Sequence, residues 1–136
     1  MIRLGELDRL LVTSSIDFRV RRVLEYTRSN LRHDLSLRTL AMIANVSIWH
    51  VCRLFKKEVG LSPGRCVKLL RLQYAAELLA TTSMSVKEVM VAVGMNDESH
   101  FVRDFRQSVG DFPVLYRKRV HTLLTMMPNS LDAKKR

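Results

Sequence analysis

Two stripes of side chains, 50 positions apart, carry the residue types in this sequence that are best suited to recognition chemistry. In residues 48–59 the apolar positions follow helical spacing, and the stripe opposite them is Trp49, Cys52, Arg53 and Lys56. The same positions of residues 98–109 carry Ser99, Val102, Arg103 and Arg106. An arginine on such a face can donate to O6 and N7 of guanine, or it can hold a phosphate. Both stripes therefore have the chemistry of a groove-binding surface.

Each of these side chains also has a structural explanation when it is taken alone. A single exposed Arg or Lys on a helix is most often solvated, and Trp49 can pack against a neighbouring helix. We interpret His50 and His100 as structural residues beside the core stripe, and no third ligand lies at zinc spacing from them. Recognition is favoured because Arg53 and Arg103 recur at equivalent positions of two separately capped units.

The recurrence extends over a whole supersecondary unit. Residues 47–55 (SIWHVCRLF) align with residues 97–105 (DESHFVRDF) at an offset of 50, whereas Ser36 and Ser85 upstream are 49 positions apart. One residue has therefore been inserted in the second turn, where it leaves the faces of both flanking helices in register. The sequence predicts a duplicated unit of short helix, tight turn and longer helix, which is a helix-turn-helix.

Helix start and stop signals predict an all-α fold with seven helices, in two helix-turn-helix lobes joined by a long linker helix. Serine or aspartate caps and a Ser-Pro start alternate with Asn or Gly stops, and period-two alternation is nearly absent. The two recognition helices are expected at about 48–59 and 98–109, and the linker helix at about 63–81. The predicted division is a leader (1–15), a first lobe with the linker helix (16–82), a second lobe (83–122) and a C-terminal tail (123–136).

The composition of the 136 residues favours a polyanionic partner. There are 23 Lys and Arg against 13 Asp and Glu, which gives a net charge of +10. Because basic side chains that neutralise phosphates release counterions, nucleic acid is the first candidate. No apolar run approaches the roughly 18 residues of a membrane span, and the opening residues lack the apolar core of a signal peptide. We expect a cytoplasmic, nucleoid-associated protein with no membrane partner.

Catalysis is the weakest hypothesis. Four scattered histidines and two cysteines supply no nucleophile, base and orienting group, and we expect no cofactor and no metal. Cys66 is interpreted as a small buried apolar residue. The alternative from another class is a basic helical module that binds a protein, with incidental DNA affinity. Its signature would be an exposed apolar patch, which residues 120–127 (VHTLLTMM) can supply unless the last helix packs them away.

Three quoted segments resemble one known family. SLRTLAMIANVSIWHVCRLFKKEVGLSP, RLQYAAELL and SVKEVMVAVGMNDESHFVRDFRQSVGDFPVLYRKR are similar to the DNA-binding domain of the AraC/XylS family of bacterial transcription regulators, over roughly residues 17–119. The first copy is especially like the small stand-alone multiple-antibiotic-resistance and superoxide-response members. The resemblance implies a sequence-specific regulator that sets two recognition helices into successive major-groove segments of double-stranded DNA, most often as an activator that contacts RNA polymerase.

The resemblance also implies a role for each stripe residue. Carried over by position, the residues facing bases are Trp49, Cys52, Arg53, Ser99 and Arg103. Those holding the DNA backbone are Ser47, Lys56, Lys57 and Arg106. We expect a monomer on an asymmetric site. No sensor domain precedes the first helix, which fits either control by abundance or a chain cut from a longer regulator.

The second copy departs from the family pattern at several positions. Met90 and Met95 stand where the family usually has Ala and Phe, so we expect the two to repack together. Phe112 replaces a capping serine, which weakens the start of the last helix. Asp97 and Glu98 suit a helix start but repel phosphate, although Glu98 can also accept a hydrogen bond from cytosine. We expect the second lobe to depend more on shape and phosphate than the first.

Overall fold

The computed structural model describes residues 15–127 of the chain. This part contains seven α-helices and no strand: α1 Phe18–Ser29, α2 Leu37–Ala44, α3 Ile48–Glu58, α4 Pro63–Thr81, α5 Val86–Ala92, α6 Glu98–Val109 and α7 Pro113–Met126. The all-α class and the two helix-turn-helix lobes are therefore confirmed. Nearly all of the predicted leader, and the tail after residue 127, lie outside the described residues.

Side chains next to the helices set where the helices begin. A hydroxyl or carboxylate oxygen accepts a hydrogen bond from the backbone N–H three residues on, at each of Ser36, Ser47, Ser62, Ser85 and Asp97. Each cap satisfies one of the N–H groups that a helix start leaves without a partner. At Ser85 the cap is reciprocal, because Glu88 accepts from the Ser85 N–H at 3.0 Å. These caps fix the register in which α3 and α6 present their faces.

Helix α4 belongs to both lobes. Its first half contributes Cys66, Val67 and Leu70 to the core of the first lobe, which also contains Val51, Leu54 and Phe55 of α3. Its second half contributes Leu72, Ala75, Ala76 and Leu79 to the core of the second lobe, around Phe101 and Phe105 of α6. The linker helix is therefore apolar on both sides, and each recognition helix is anchored on it.

A contact between backbones joins the two lobes on one side of α4. Gly94, in the turn between α5 and α6, has φ +83° and approaches the Leu31 carbonyl of the first lobe. From α4, Arg71 donates to the same carbonyl at 3.3 Å and to the His33 carbonyl at 3.2 Å. The orientation of the second lobe relative to the first is thus set by α4 together with this carbonyl.

Helix α7 closes the second lobe. Phe112 occupies its N-cap position without a side-chain hydrogen bond, as expected for a residue that replaces serine. Arg117 donates to the Leu79 carbonyl at 3.0 Å and to that of Met84, which fastens α7 to the end of α4. The helix continues to Met126, past the boundary predicted at 122, because no glycine or proline interrupts it after Pro113.

Met90 and Met95, the two methionines that depart from the family pattern, share one core. Met90 is buried, and Met95 packs partly buried against the same cluster as Phe101 and Phe105. Unbranched thioether side chains fill irregular space readily, so a Met at both positions is compatible with a continuous core.

Candidate nucleic-acid interface

The first candidate surface is the outward face of α3. Val51 and Phe55 are buried on the opposite side of α3, so the outward face remains directed to solvent. Trp49 is 65% exposed, Arg53 and Lys56 are exposed, and Cys52 is half-buried between them. Trp49 does not pack into a neighbouring helix, which was the structural alternative considered for it. A large aromatic side chain is therefore held in solvent beside two cations.

Trp49 and Arg53 form a pair one turn apart. The guanidinium carbon of Arg53 lies 4.6 Å from the centroid of the indole ring, within the range of a cation–π contact. The contact orients the guanidinium along the outer surface of α3, while its N–H groups remain available to a partner. Ser47 lies at the start of the same helix, where its hydroxyl accepts from the His50 N–H at 3.1 Å.

A cation from α1 also borders this surface, which the sequence interpretation missed. Arg19 donates from Nη2 to Asp17 Oδ2 at 2.8 Å and from Nε to Oδ1 at 3.1 Å, and its Nη1 lies 3.3 Å from His50 Nε2. The hydrogen bond from Arg19 lowers the pKa of Asp17, and nearby Lys57 contributes to the same effect. The only sequence signal was the spacing of Asp17 and Arg19 at the start of α1.

The groove so formed collects most of the predicted first-lobe residues. Its lining includes Trp49, Cys52, Arg53, Lys56 and Lys57, together with Arg19 and His50. Ser47 is not in the lining, because it lies at the N-terminal start of α3. His50 is half-buried and contacts Arg19, so it links α3 to α1, as a structural interpretation predicts.

The second candidate surface is the outward face of α6. Phe101 and Phe105 are fully buried behind it, and their rings lie 5.9 Å apart. The groove in front is lined by Glu98, Ser99, Val102, Arg103, Arg106, Gln107 and Phe112. All three predicted second-lobe site residues, Ser99, Arg103 and Arg106, are therefore brought together.

One aromatic and one acidic neighbour restrain the two arginines of this surface. The guanidinium carbon of Arg106 lies 4.6 Å from the centroid of the Phe112 ring, so the residue that fails to cap α7 supports a cation instead. Arg103 donates from Nε to Asp104 Oδ1 at 3.4 Å. The other oxygen of Asp104 lies 3.3 Å from Nζ of Lys68 on α4. Asp104 and Lys68 were not singled out from the sequence.

His100 differs from its repeat partner His50. Its side chain is exposed, and Nδ1 lies 3.5 Å from a carboxylate oxygen of Asp97, the N-cap of α6. Within residues 15–127 no group of three His, Cys, Asp or Glu side chains is arranged to hold a metal ion. In the same range, no helix is long and apolar enough to cross a membrane.

Helix α4 lies between the two surfaces, because α3 packs on its first half and α6 on its second half. Nineteen residues at a rise of about 1.5 Å give a helix about 28 Å long. Consecutive major-groove segments on one side of B-DNA are about 34 Å apart. The length of α4 is therefore of the same order as this spacing.

Comparison with known proteins identifies the same arrangement. Residues 40–119 match a family described as a helix-turn-helix domain. The transcriptional activator AarP of Providencia stuartii is 30% identical over 95 residues, which are 70% of this chain and 70% of AarP. The transcriptional activator NphR of a Rhodococcus species is 36% identical over 118 residues, 82% of this chain and 34% of NphR.

A solved structure gives the same result at the level of the fold. The DNA-binding domain of AdpA, a global transcriptional factor solved in complex with a target DNA, matches with a TM-score of 0.74 and 25% identity, over 80% of this chain and 98% of that domain. The chain belongs to the AraC/XylS family, a family of DNA-binding transcription regulators that carry this helix-turn-helix domain and not an enzyme family. It spans about a third of the length of several curated relatives that it matches.

Proposed function

We propose that this chain is a sequence-specific, double-stranded DNA-binding regulator that places α3 and α6 in successive major-groove segments. In this proposal the residues that contact bases are Trp49, Cys52, Arg53, Ser99 and Arg103. The residues that hold the DNA backbone are Ser47, Lys56, Lys57 and Arg106. Binding to DNA would associate the protein with the nucleoid in the cytoplasm.

One observation carries the proposal more than any other. Arg53 and Arg103 occupy equivalent positions of the two repeats, each on the solvent face of a capped helix whose opposite face is buried. Arginine is the side chain that most often specifies guanine in the major groove, because its donors match O6 and N7. The basic residues around each arginine supply the phosphate contacts that give affinity without sequence preference.

The two surfaces differ, which favours one molecule on an asymmetric site. The first presents Trp49 and Cys52 where the second presents Ser99 and Val102, so the half-sites need not be alike. Two relatives, NphR and AarP, are named transcriptional activators. We infer that this chain also activates, through contact with RNA polymerase. Transcription in vitro from a promoter carrying the selected site tests this step: RNA synthesis increased by the protein supports it, and unchanged or reduced synthesis contradicts it.

Selection of bound duplexes from a random DNA pool, at about 150 mM salt so that non-specific binding is weak, tests the DNA-binding proposal. We expect an enriched motif of two unlike blocks about 10 base pairs apart, the distance of one helical turn. A single short block would mean that α6 only holds the backbone. No enrichment would contradict sequence-specific binding.

A protein-interaction role is the second candidate, and the end of α7 favours it. Leu123 and Leu124 are each 56% exposed and Met126 is 75% exposed, so the packing considered for this segment does not occur within the described residues. An exposed apolar patch of this kind is typical of a contact surface. If the DNA selection gives no motif, binding of a protein through this surface becomes the leading proposal for the function.

A further inference from the structure

The two recognition arginines are restrained by different devices, although they occupy equivalent positions of the repeat. In the first lobe the Arg53 guanidinium lies over the Trp49 ring. The repeat partner of Trp49 is Ser99, which has no ring, and Arg103 is instead hydrogen-bonded to Asp104. Each lobe therefore limits the freedom of its arginine in its own way.

Asp104 is an unusual residue for its position. Its side chain is only 9% exposed, and its repeat partner is Leu54, a residue of the first core. A buried carboxylate is unfavourable unless cations and hydrogen bonds compensate it. Two partners do so, because Arg103 Nε approaches Oδ1 at 3.4 Å and Lys68 Nζ approaches Oδ2 at 3.3 Å. A leucine would fill this place without the unfavourable desolvation, so packing alone does not explain the carboxylate.

The atom that Asp104 engages decides which edge of the guanidinium stays available. Nε carries the N–H on the side of the arginine chain, and it points to Asp104 Oδ1. The two terminal nitrogens of Arg103 remain, and these form the end-on pair of donors that matches O6 and N7 of guanine. The side chain is 58% exposed and borders the groove in front of α6, so this edge faces a partner.

We propose that Asp104 is a positioning residue that presents Arg103 end-on to a guanine in the second half-site. Lys68 compensates the remaining charge of the carboxylate from the linker helix. Restricting the arginine before binding reduces the rotamer freedom that DNA would otherwise remove. The 3.4 Å distance is at the long end for a hydrogen bond, so Asp104 directs the guanidinium without fixing it rigidly.

This inference rests on the proposed function, because Arg103 has to face bases for its orientation to affect recognition. It differs from the expectation that acidic residues near the start of α6 leave the second lobe to shape and phosphate. Asp97 and Glu98 are at that end of the helix, whereas Asp104 lies in the middle and is neutralised by two cations. Asp104 therefore supports Arg103, whereas Asp97 and Glu98 were expected to repel the DNA.

The test compares the base preferences of wild type, Asp104→Leu and Asp104→Asn, by selection from random duplexes and competition between duplexes that differ at one base pair. The leucine variant carries the residue of the first lobe, so we expect the fold and the first half-site preferences to be kept. The preference for guanine in the second half-site should fall about five- to tenfold, which is within the discrimination of one bidentate pair. Asparagine keeps an acceptor oxygen beside Arg103 but loses the charge, so Asp104→Asn should give an intermediate preference.

Arg103→Ala separates the positioning role from the reading role. If Arg103→Ala loses the guanine preference and Asp104→Leu keeps it, the positioning role is wrong and the proposed function stands. If the wild type selects no motif, both are overturned together. If Arg103→Ala changes no base preference, the positioning role is wrong together with the base contact proposed for Arg103, while binding through α3 stands. Circular dichroism shows whether the leucine variant is folded; if it is not, an unchanged guanine preference in Asp104→Asn overturns the inference.

Discussion

Gly94 lies so close to the carbonyl of Leu31 that a Cβ atom on residue 94 would be 2.2 Å from that oxygen. Gly94 is in the turn of the second lobe and Leu31 is in the core of the first, so the contact joins the backbones of the two repeats. The positive φ of Gly94 is a second reason that only glycine suits this position. The close approach of the two lobes at this point therefore requires a residue without a side chain.

We expect Gly94→Ala to lower the free energy of unfolding by at least about 2 kcal/mol, since left-handed strain is added to a clash with backbone. Gly60→Ala is the matched control, because Gly60 has φ +82° and nothing within 4 Å of its Cβ position. Gly60→Ala should lower the free energy of unfolding by only about 1 kcal/mol, because it adds backbone strain without a clash. Urea denaturation measures both. Equal losses at the two positions would show that the contact with Leu31 does not constrain the lobes.

Arg53→Ala should weaken binding to the selected site by about 1–3 kcal/mol and relax the preference at one or two base pairs. Lys56→Ala should instead weaken binding to all sequences alike and reduce the salt dependence by about one counterion. Titrations against the selected duplex and a random duplex at several salt concentrations distinguish the two. The assignment of base and phosphate roles is wrong if both variants change specific and random binding by the same factor.

Asp17→Asn should make the stability less dependent on pH. The hydrogen bond from Arg19 lowers the pKa of Asp17 below its usual 3.8, so the ionised form stabilises the fold above that pH. This contribution is lost as the pH falls through the lowered folded-state pKa. Asparagine still caps α1, so wild type should exceed Asp17→Asn in unfolding free energy at pH 7, and the two should converge below that pKa. In an Arg19→Gln background the difference at pH 7 should shrink; an unchanged difference would exclude Arg19 as the cause.

Cys66 should be inert to thiol reagents in the native protein. Burial raises the pKa of its thiol to about 12, so almost no thiolate is present at neutral pH. Cys52 is partly exposed in the first groove. Ellman's reagent should therefore modify one thiol in the native state and both in denaturant, with Cys52→Ser as the control. The selected DNA should slow the reaction of Cys52; an unchanged rate would argue against contact there.

Phe112→Ser should be more stable than Phe112→Ala by about 1 kcal/mol, because serine supplies the missing cap of α7. Both variants lose the ring beneath Arg106, so the difference between them isolates the cap. Thermal unfolding measures this difference. A serine variant no more stable than the alanine variant would mean that the α7 start is held by tertiary packing instead.

The parts of the fold that were predictable are those decided by neighbouring residues. Ser62 and Pro63 predicted the start of the linker helix, and the observed helix spans the predicted 63–81, because capping and the fixed φ of proline act locally. The end of α7 at Met126 also has a local cause, since Met127 precedes Pro128 and a residue before proline is disfavoured in a helix.

The features that escaped prediction depend on contacts between distant parts of the chain. Gly94 is one of the glycines whose place after a helical segment predicts a helix stop, but its approach to Leu31 requires knowledge of how the lobes meet. Asp104 interrupts the apolar stripe of α6, and its burial is explained only by Lys68 on another helix. Most of the groove residues were predictable from the repeat, whereas Arg19 and the residues that hold the groove arginines in place were not.

Because both repeats share α4, the duplication did not produce two independent domains. Each copy of the repeat completes its core with half of the same helix, so cutting the chain on either side of α4 would expose an apolar face of one copy to water. The two copies are thus not interchangeable modules that recombination can transfer singly to another protein. The two repeats can be inherited only together, with α4 between them. The sequence preferences of the two grooves can therefore diverge while the arrangement of the two repeats around α4 stays the same.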